Sequence, residues 1–117
     1  MMDSSTARFL QGVFTVEGNG LDAPFPLDAS LTYTVPPGAS TQPVYFRGGN
    51  SSPEMIYVTL VRDGVPMRYF PIAARGATHV SLRVVEDLLS DTVIEVFAAV
   101  PKGVSASVVA DVGLIEI

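Results

Sequence analysis

The sequence predicts an all-β chain: an antiparallel β-sandwich of about eight short strands, jelly-roll or immunoglobulin-like, with no substantial helix. Three observations predict it. Apolar and polar residues alternate with period two along several stretches, as in strands with one wet face. Ten glycines and nine prolines divide these stretches into short runs. Between two β-rich runs stands Asp63-Gly64, the strongest local hairpin signal, because a type I′ turn needs positive φ at both central residues. An up-and-down barrel is the lesser option.

The hairpin around Asp63-Gly64 is the centre of the reading. In its first arm Ile56, Val58 and Leu60 point one way and Tyr57, Thr59 and Val61 the other, so both faces are apolar enough to be covered. The second arm contains Pro66 and Pro71, which cannot donate ladder hydrogen bonds, and it is expected at or near a sheet edge.

Taken in order, residues 1–6 are expected to be a disordered tail and residues 7–117 a single β-sandwich domain. Residues 8–17 have strand composition, with Phe14 and Val16 on one face, Phe9 and Val13 on the other, and Gly12 at a bulge or close approach. Residues 27–35 alternate cleanly: Leu27, Ala29, Leu31, Tyr33 and Val35 are read as inward on a half-buried strand. Pro36-Pro37-Gly38 stops it. Residues 43–47 form a short strand, and the glycine-rich segment 48–53 is read as a loop. Residues 78–85 alternate again, with Val80, Leu82 and Val84 inward and His79, Ser81 and Arg83 outward. The acidic segment 86–91 fits one helical turn or a tight crossing, and residues 92–100 form a second strand apolar on both faces. In the last strand, 105–117, Val108, Ala110 and Val112 share a face while Ile115 and Ile117 fall on the other. A bulge at Gly113 would bring the two sets together.

Composition narrows the function. The 117 residues contain no cysteine, which excludes a disulfide framework and a thiolate metal site. Seven cations are scattered singly in a chain of net charge −5, without the clustered basic footprint of a nucleic-acid binder. No apolar run approaches the ~18 residues of a membrane span, and residues 1–6 lack the apolar core of a signal peptide. A cytoplasmic or particle-associated protein is expected. Only 16% of residues are charged against 48% hydrophobic, compared with about 25% charged in an ordinary domain. Either Ser, Thr, Gly and Pro cover the surface, or part of it is buried against other copies or another protein.

No constellation carries catalysis. His79, the only histidine, shares a face with Ser81, but side chains at i and i+2 stand in a row and no orienting acid is near. It is read as an exposed or rim histidine. One histidine without cysteine rules out a cupredoxin-type copper site. Glu86, Asp87 and Asp91 in one connection, and Asp22 and Asp28 around another, could offer oxygens to calcium, but without EF-hand spacing a solvated acidic turn is the plainer reading. Residues 47–52 could form an anion-binding backbone nest, and Asn50-Ser51-Ser52 matches a glycosylation sequon. Tyr45, Tyr57 and Tyr69 share strands with Phe46 and Phe70. Adjacent aromatics face opposite sides, so one set is core and the other is an interface or a platform for sugar rings.

The leading expectation is a non-catalytic β-sandwich acting through protein–protein contacts as a homo-oligomeric structural or assembly subunit, a virion or other particle component included. Its interface is placed at Met67, Arg68, Tyr69 and Phe70 on the edge arm and at Ile115 and Ile117 at the last strand's end. No cofactor, nucleic acid or membrane is expected. The alternative is a carbohydrate-binding module, with or without calcium, in which exposed tyrosines and loop carboxylates converge on one groove.

Overall fold

The computed structural model describes residues 5–82 and 86–117. Those residues form nine strands: β1 (Thr6–Glu17), β2 (Phe25–Pro26), β3 (Tyr33–Thr34), β4 (Thr41–Asn50), β5 (Ile56–Arg62), β6 (Val65–Ile72), β7 (Ala77–Ser81), β8 (Val93–Ala99) and β9 (Ser105–Glu116). Two antiparallel sheets face each other. The first is ordered β1-β9-β4-β7; the second is β2-β8-β5-β6, with β3 also pairing β8. Both sheets are open, so the architecture is the sandwich and not the barrel.

The core lies between the inner faces. Phe46, Val108, Ala110, Val112 and Leu114 come from the first sheet; Ile56, Val58, Leu60, Phe70, Ile72, Ile94 and Val96 come from the second. Phe46 and Phe70 stack across the middle, with ring centroids 4.3 Å apart and planes 7° from parallel. Burying such side chains drives the association of the sheets.

The hairpin forms as its sequence dictates. Asp63 and Gly64 take φ of 49° and 81°, the positive values that the right-handed strand twist requires of a two-residue loop. The register then shifts between Leu60 and Val61, which pair Arg68 and Pro66 and leave Met67 as the extra residue of a bulge. Pro66 sits beside that irregularity, and β6 is an outer strand of its sheet, as its prolines demand. β5 is covered on both sides: Thr59 and Val61 on its outer face are as inaccessible as Leu60 within.

Several sequence expectations are corrected. Thr6, assigned to the tail, begins β1 by pairing with Glu116; residues 1–4 of that tail lie outside the described residues. Residues 27–35 are not one strand. Asp28 accepts a hydrogen bond from the Ser30 amide at 3.0 Å and caps a single 3₁₀ turn, Ala29–Leu31, which breaks the ladder after β2. Leu27, Leu31 and Val35 still reach the core, whereas Ala29 is exposed. Gly48, Gly49 and Asn50 belong to β4, whose pairs with β7 and β9 extend past Gly48, so no nest exists there. Asn50 is buried and its amide is committed, donating to the Glu54 carbonyl and accepting from the Ser52 amide, which leaves no glycosylation site. Gly12 marks a close approach without a bulge: a Cβ there would stand 2.5 Å from Cζ of Phe14.

β9 runs without a bulge at Gly113, because Leu114 continues the inward alternation and needs no change of register. The irregularity lies on the neighbouring strand, where Pro43 pairs Leu114 and Tyr45 pairs Gly113. Ile115 and Ile117 consequently stay with the outer-face positions. In the strand expected over 78–85, β7 covers Ala77–Ser81, while positions 83–85, with the placements of Arg83 and Val84, lie outside the described residues.

Candidate functional site

The first sheet's outer face is built from alternate residues of four strands. Register sets Gln11 opposite Asp111, Asp111 opposite Arg47, and Arg47 opposite His79, a polar row crossing β1, β9, β4 and β7. Adjacent strands lie ~4.8 Å apart, so this row spans about 14 Å. On one side of it Phe9, Gly113, Tyr45 and Ser81 form the next row; on the other are Val13, Val109, Gly49 and Ala77. Phe9 is 55% exposed and Val13 69%, far more than a core-facing residue. An ordinary solvent face is polar throughout, and an ordinary interface core is depleted of charge. This face is neither: hydrogen-bonding groups run between two rows that are apolar except for Ser81 and the Tyr45 hydroxyl.

Tyr45 organises the centre. Its ring lies over Gly113, where a Cβ would come within 2.0 Å of Cε2. Its hydroxyl donates to Asp111 Oδ1 at 2.9 Å. Burial, and after it the adjoining carboxylate, push the tyrosine pKa up, so the hydroxyl remains a donor. The Arg47 guanidinium carbon is 5.1 Å from the ring centroid, a cation–π contact, and the His79 ring meets Tyr45 edge-on at 6.4 Å and 89°. Aromatic surface and fixed donors and acceptors thus share one exposed plane, an arrangement able to stack on a flat apolar ring face while bonding its substituents.

Among the described residues no carboxylate bonds His79, whose contact is the Tyr45 ring. His79 and Ser81 do share a face, with Ser81 opposite Tyr45. The acidic residues disperse. Glu86 pairs with Arg68 at 2.5 Å and Arg62 at 3.8 Å; Asp87 accepts from Gln42 at 2.6 Å; Asp28 is spent as a cap. Among the described residues no three His, Cys, Asp or Glu side chains gather to hold a metal ion. The calcium reading of the acidic loops therefore has no cluster to rest on there.

The proposed interface residues divide between two faces. Tyr69, 60% exposed, lies on the second sheet's outer face, its ring edge-on to Tyr57 at 5.7 Å; Met67 is half-buried at the bulge and Arg68 turns to Glu86. Phe70 does not belong with them: it alternates inward and is core. Ile115 and Ile117 lie on the first sheet's side, Ile117 tied by its backbone to Ser40. The edge arm and the β9 end do not converge.

A separate apolar hollow of about 570 Å³ lies between the connections after β4 and β6, lined by Pro53, Met55, Pro71 and Ala73 with Glu54 and Thr78 as its polar side chains. It has no second charged group to orient a ligand.

Alternation contained part of the face's signal. Tyr45 and Arg47, like Asp111 and Gly113, are two apart and must share a side. What was missing was that β4 and β9 are neighbours, in the register that sets Tyr45 on Gly113.

No family model matches the chain, and no curated protein matches it significantly. Among solved structures it resembles the CBM36-1 domain of a multidomain xylanase from the hindgut metagenome of Trinervitermes trinervoides. The TM-score is 0.56 at 14% identity, covering 94% of this chain and 96% of that one. At this identity the likeness establishes the β-sandwich fold. Among the described residues no helix is long and apolar enough to cross a membrane.

Proposed function

We propose that this protein is a non-catalytic carbohydrate-binding β-sandwich whose saccharide lies across the outer face of the β1-β9-β4-β7 sheet. The observation that carries the reading is the Tyr45 ring held on Gly113 beside the Gln11–Asp111–Arg47–His79 row. Sugars present apolar ring faces edged by hydroxyls, and they need stacking surface and fixed hydrogen-bonding groups together. Phe9 supplies open apolar surface beside Tyr45, whose ring carries Arg47; along the row the Gln11 amide donates and accepts and the Asp111 carboxylate accepts. The resemblance in fold to a carbohydrate-binding module supports the reading. The test is a glycan array followed by calorimetry on the strongest hits. Binding that survives EDTA and falls at least about tenfold in Tyr45→Ala is expected, whereas a silent array would remove the proposal.

A second reading keeps protein–protein contact through the edge strand β6, favoured by Tyr69 at 60% and Val65 at 64% exposure on an outer strand. It predicts a multimer by size-exclusion chromatography with light scattering that Tyr69→Lys dissociates into folded subunits. A monomer at every concentration would end it.

A further inference from the structure

Resting on the carbohydrate reading, we infer that the saccharide this face takes carries a carboxylate, a uronic acid seated between Arg47 and His79. The observation is an arginine without an acid. Arg8 pairs with Glu116, and Arg62 and Arg68 pair with Glu86. Arg75 and Lys102 stand on turns. Arg47 lies within a sheet face directly opposite a carboxylate in register, yet its contact is the Tyr45 ring. Among the described residues it makes neither an ion pair nor a hydrogen bond.

The reason is Tyr45. Its hydroxyl holds Asp111 Oδ1, while its ring face draws the guanidinium to itself. The planar fork of donors is thereby steadied on an aromatic plane and left unspent, which is the state an arginine needs to take a planar carboxylate through two parallel hydrogen bonds. His79 is the cross-strand neighbour of Arg47 on the side away from Asp111, and facing side chains on adjacent strands stand about 5 Å apart. An anion between Arg47 and His79 therefore has two donors beside it and is a further strand's width from the Asp111 carboxylate. Gly49 and Ala77, next along the same strands, present little side chain to obstruct it. Asp111 and Gln11, at the other end of the row, suit neutral hydroxyls. The face is thus polarised along the row, its one cation, Arg47, on β4 beside His79 of β7 and its carboxylate, Asp111, on β9.

The experiment compares oligogalacturonate, oligoglucuronate, oligomannuronate and oligoguluronate, each with its carboxyl-reduced counterpart, in which –COO⁻ becomes –CH₂OH. The expected result is about tenfold tighter binding of at least one acidic form at low salt, a preference that shrinks at 0.5 M salt. In Arg47→Gln the ratio of acidic to reduced affinity should fall to about one, and His79→Gln should lower it part of the way. Circular dichroism confirms that these exposed substitutions leave the fold intact. Equal binding of every pair, or a preference untouched by Arg47→Gln, overturns the carboxylate assignment and leaves the carbohydrate reading standing. Failure of every acidic, reduced and neutral glycan to bind overturns both.

Discussion

The Tyr45 ring occupies the space that a side chain at position 113 would fill, with Cε2 2.0 Å from where a Cβ would be. The glycine belongs to β9 and the tyrosine to β4, and neither position makes sense without the other. The same ring fixes Asp111 through its hydroxyl and Arg47 through its face. The candidate binding face is thus assembled around one glycine.

Gly113→Ala should push the ring off the sheet and destabilise the protein by roughly 1–3 kcal/mol, the range of small overpacking changes. In the double variant Gly113→Ala/Tyr45→Ala the ring atoms nearest the added methyl are gone, so the two costs should fail to add by about 1 kcal/mol. Urea denaturation of the four proteins measures this coupling. Strict additivity would show that the ring does not occupy that space.

Tyr69 and Phe70 are sequence neighbours with opposite environments, and they should respond oppositely. Phe70→Ala removes half of the stacked pair with Phe46 and should cost about 3–5 kcal/mol. Tyr69→Ala, at an exposed position, should cost under about 1 kcal/mol. Thermal unfolding of the two variants decides it, and similar losses would contradict the inward placement of Phe70.

At the hairpin, Gly64→Ala places a Cβ at φ 81° and should cost about 1 kcal/mol. Asp63→Asn should be almost neutral. Asparagine tolerates φ near 49°, and its side-chain oxygen can still accept from the Val93 amide, which Asp63 Oδ1 meets at 2.9 Å. Equilibrium unfolding that ranks the two variants the other way would argue against the type I′ turn.

Acid should loosen the end of the sandwich at Glu116. The hydrogen bond from Arg8, then that from the Tyr33 hydroxyl, holds this carboxyl below the ordinary glutamate value of 4.5. A folded pKa lower than the unfolded one means that the folded state binds fewer protons. The stabilisation is complete above the unfolded value and is lost as pH falls below about 4.5 through the folded value. Melting temperatures from pH 6 to pH 3 should therefore fall less steeply for Glu116→Gln than for the parent. Parallel curves would show that the Arg8–Glu116 contact carries no pH dependence.

By itself the sequence determined the local features. Period-two alternation, glycine and proline punctuation and Asp63-Gly64 sufficed for the all-β class, the hairpin, the covered strand β5 and the edge position of β6, because each depends on residues adjacent in the chain. Where a local competitor existed, alternation misled: Asp28 capping Ser30 turned the expected strand over 27–35 into a 3₁₀ turn. Where a glycine had a distant reason, local reading failed too. Gly48 looks like loop, yet it pairs within β4 at a place where a Cβ would come within 2.5 Å of Phe46 and 2.7 Å of Ile72. Only the tertiary structure decided that β4 lies beside β9 and β7. That pairing gathers Gln11, Asp111, Arg47 and His79, residues 11 to 111, into one row. Strand order depends on the packing of the two sheets together, and no stretch of sequence shorter than the chain contains it.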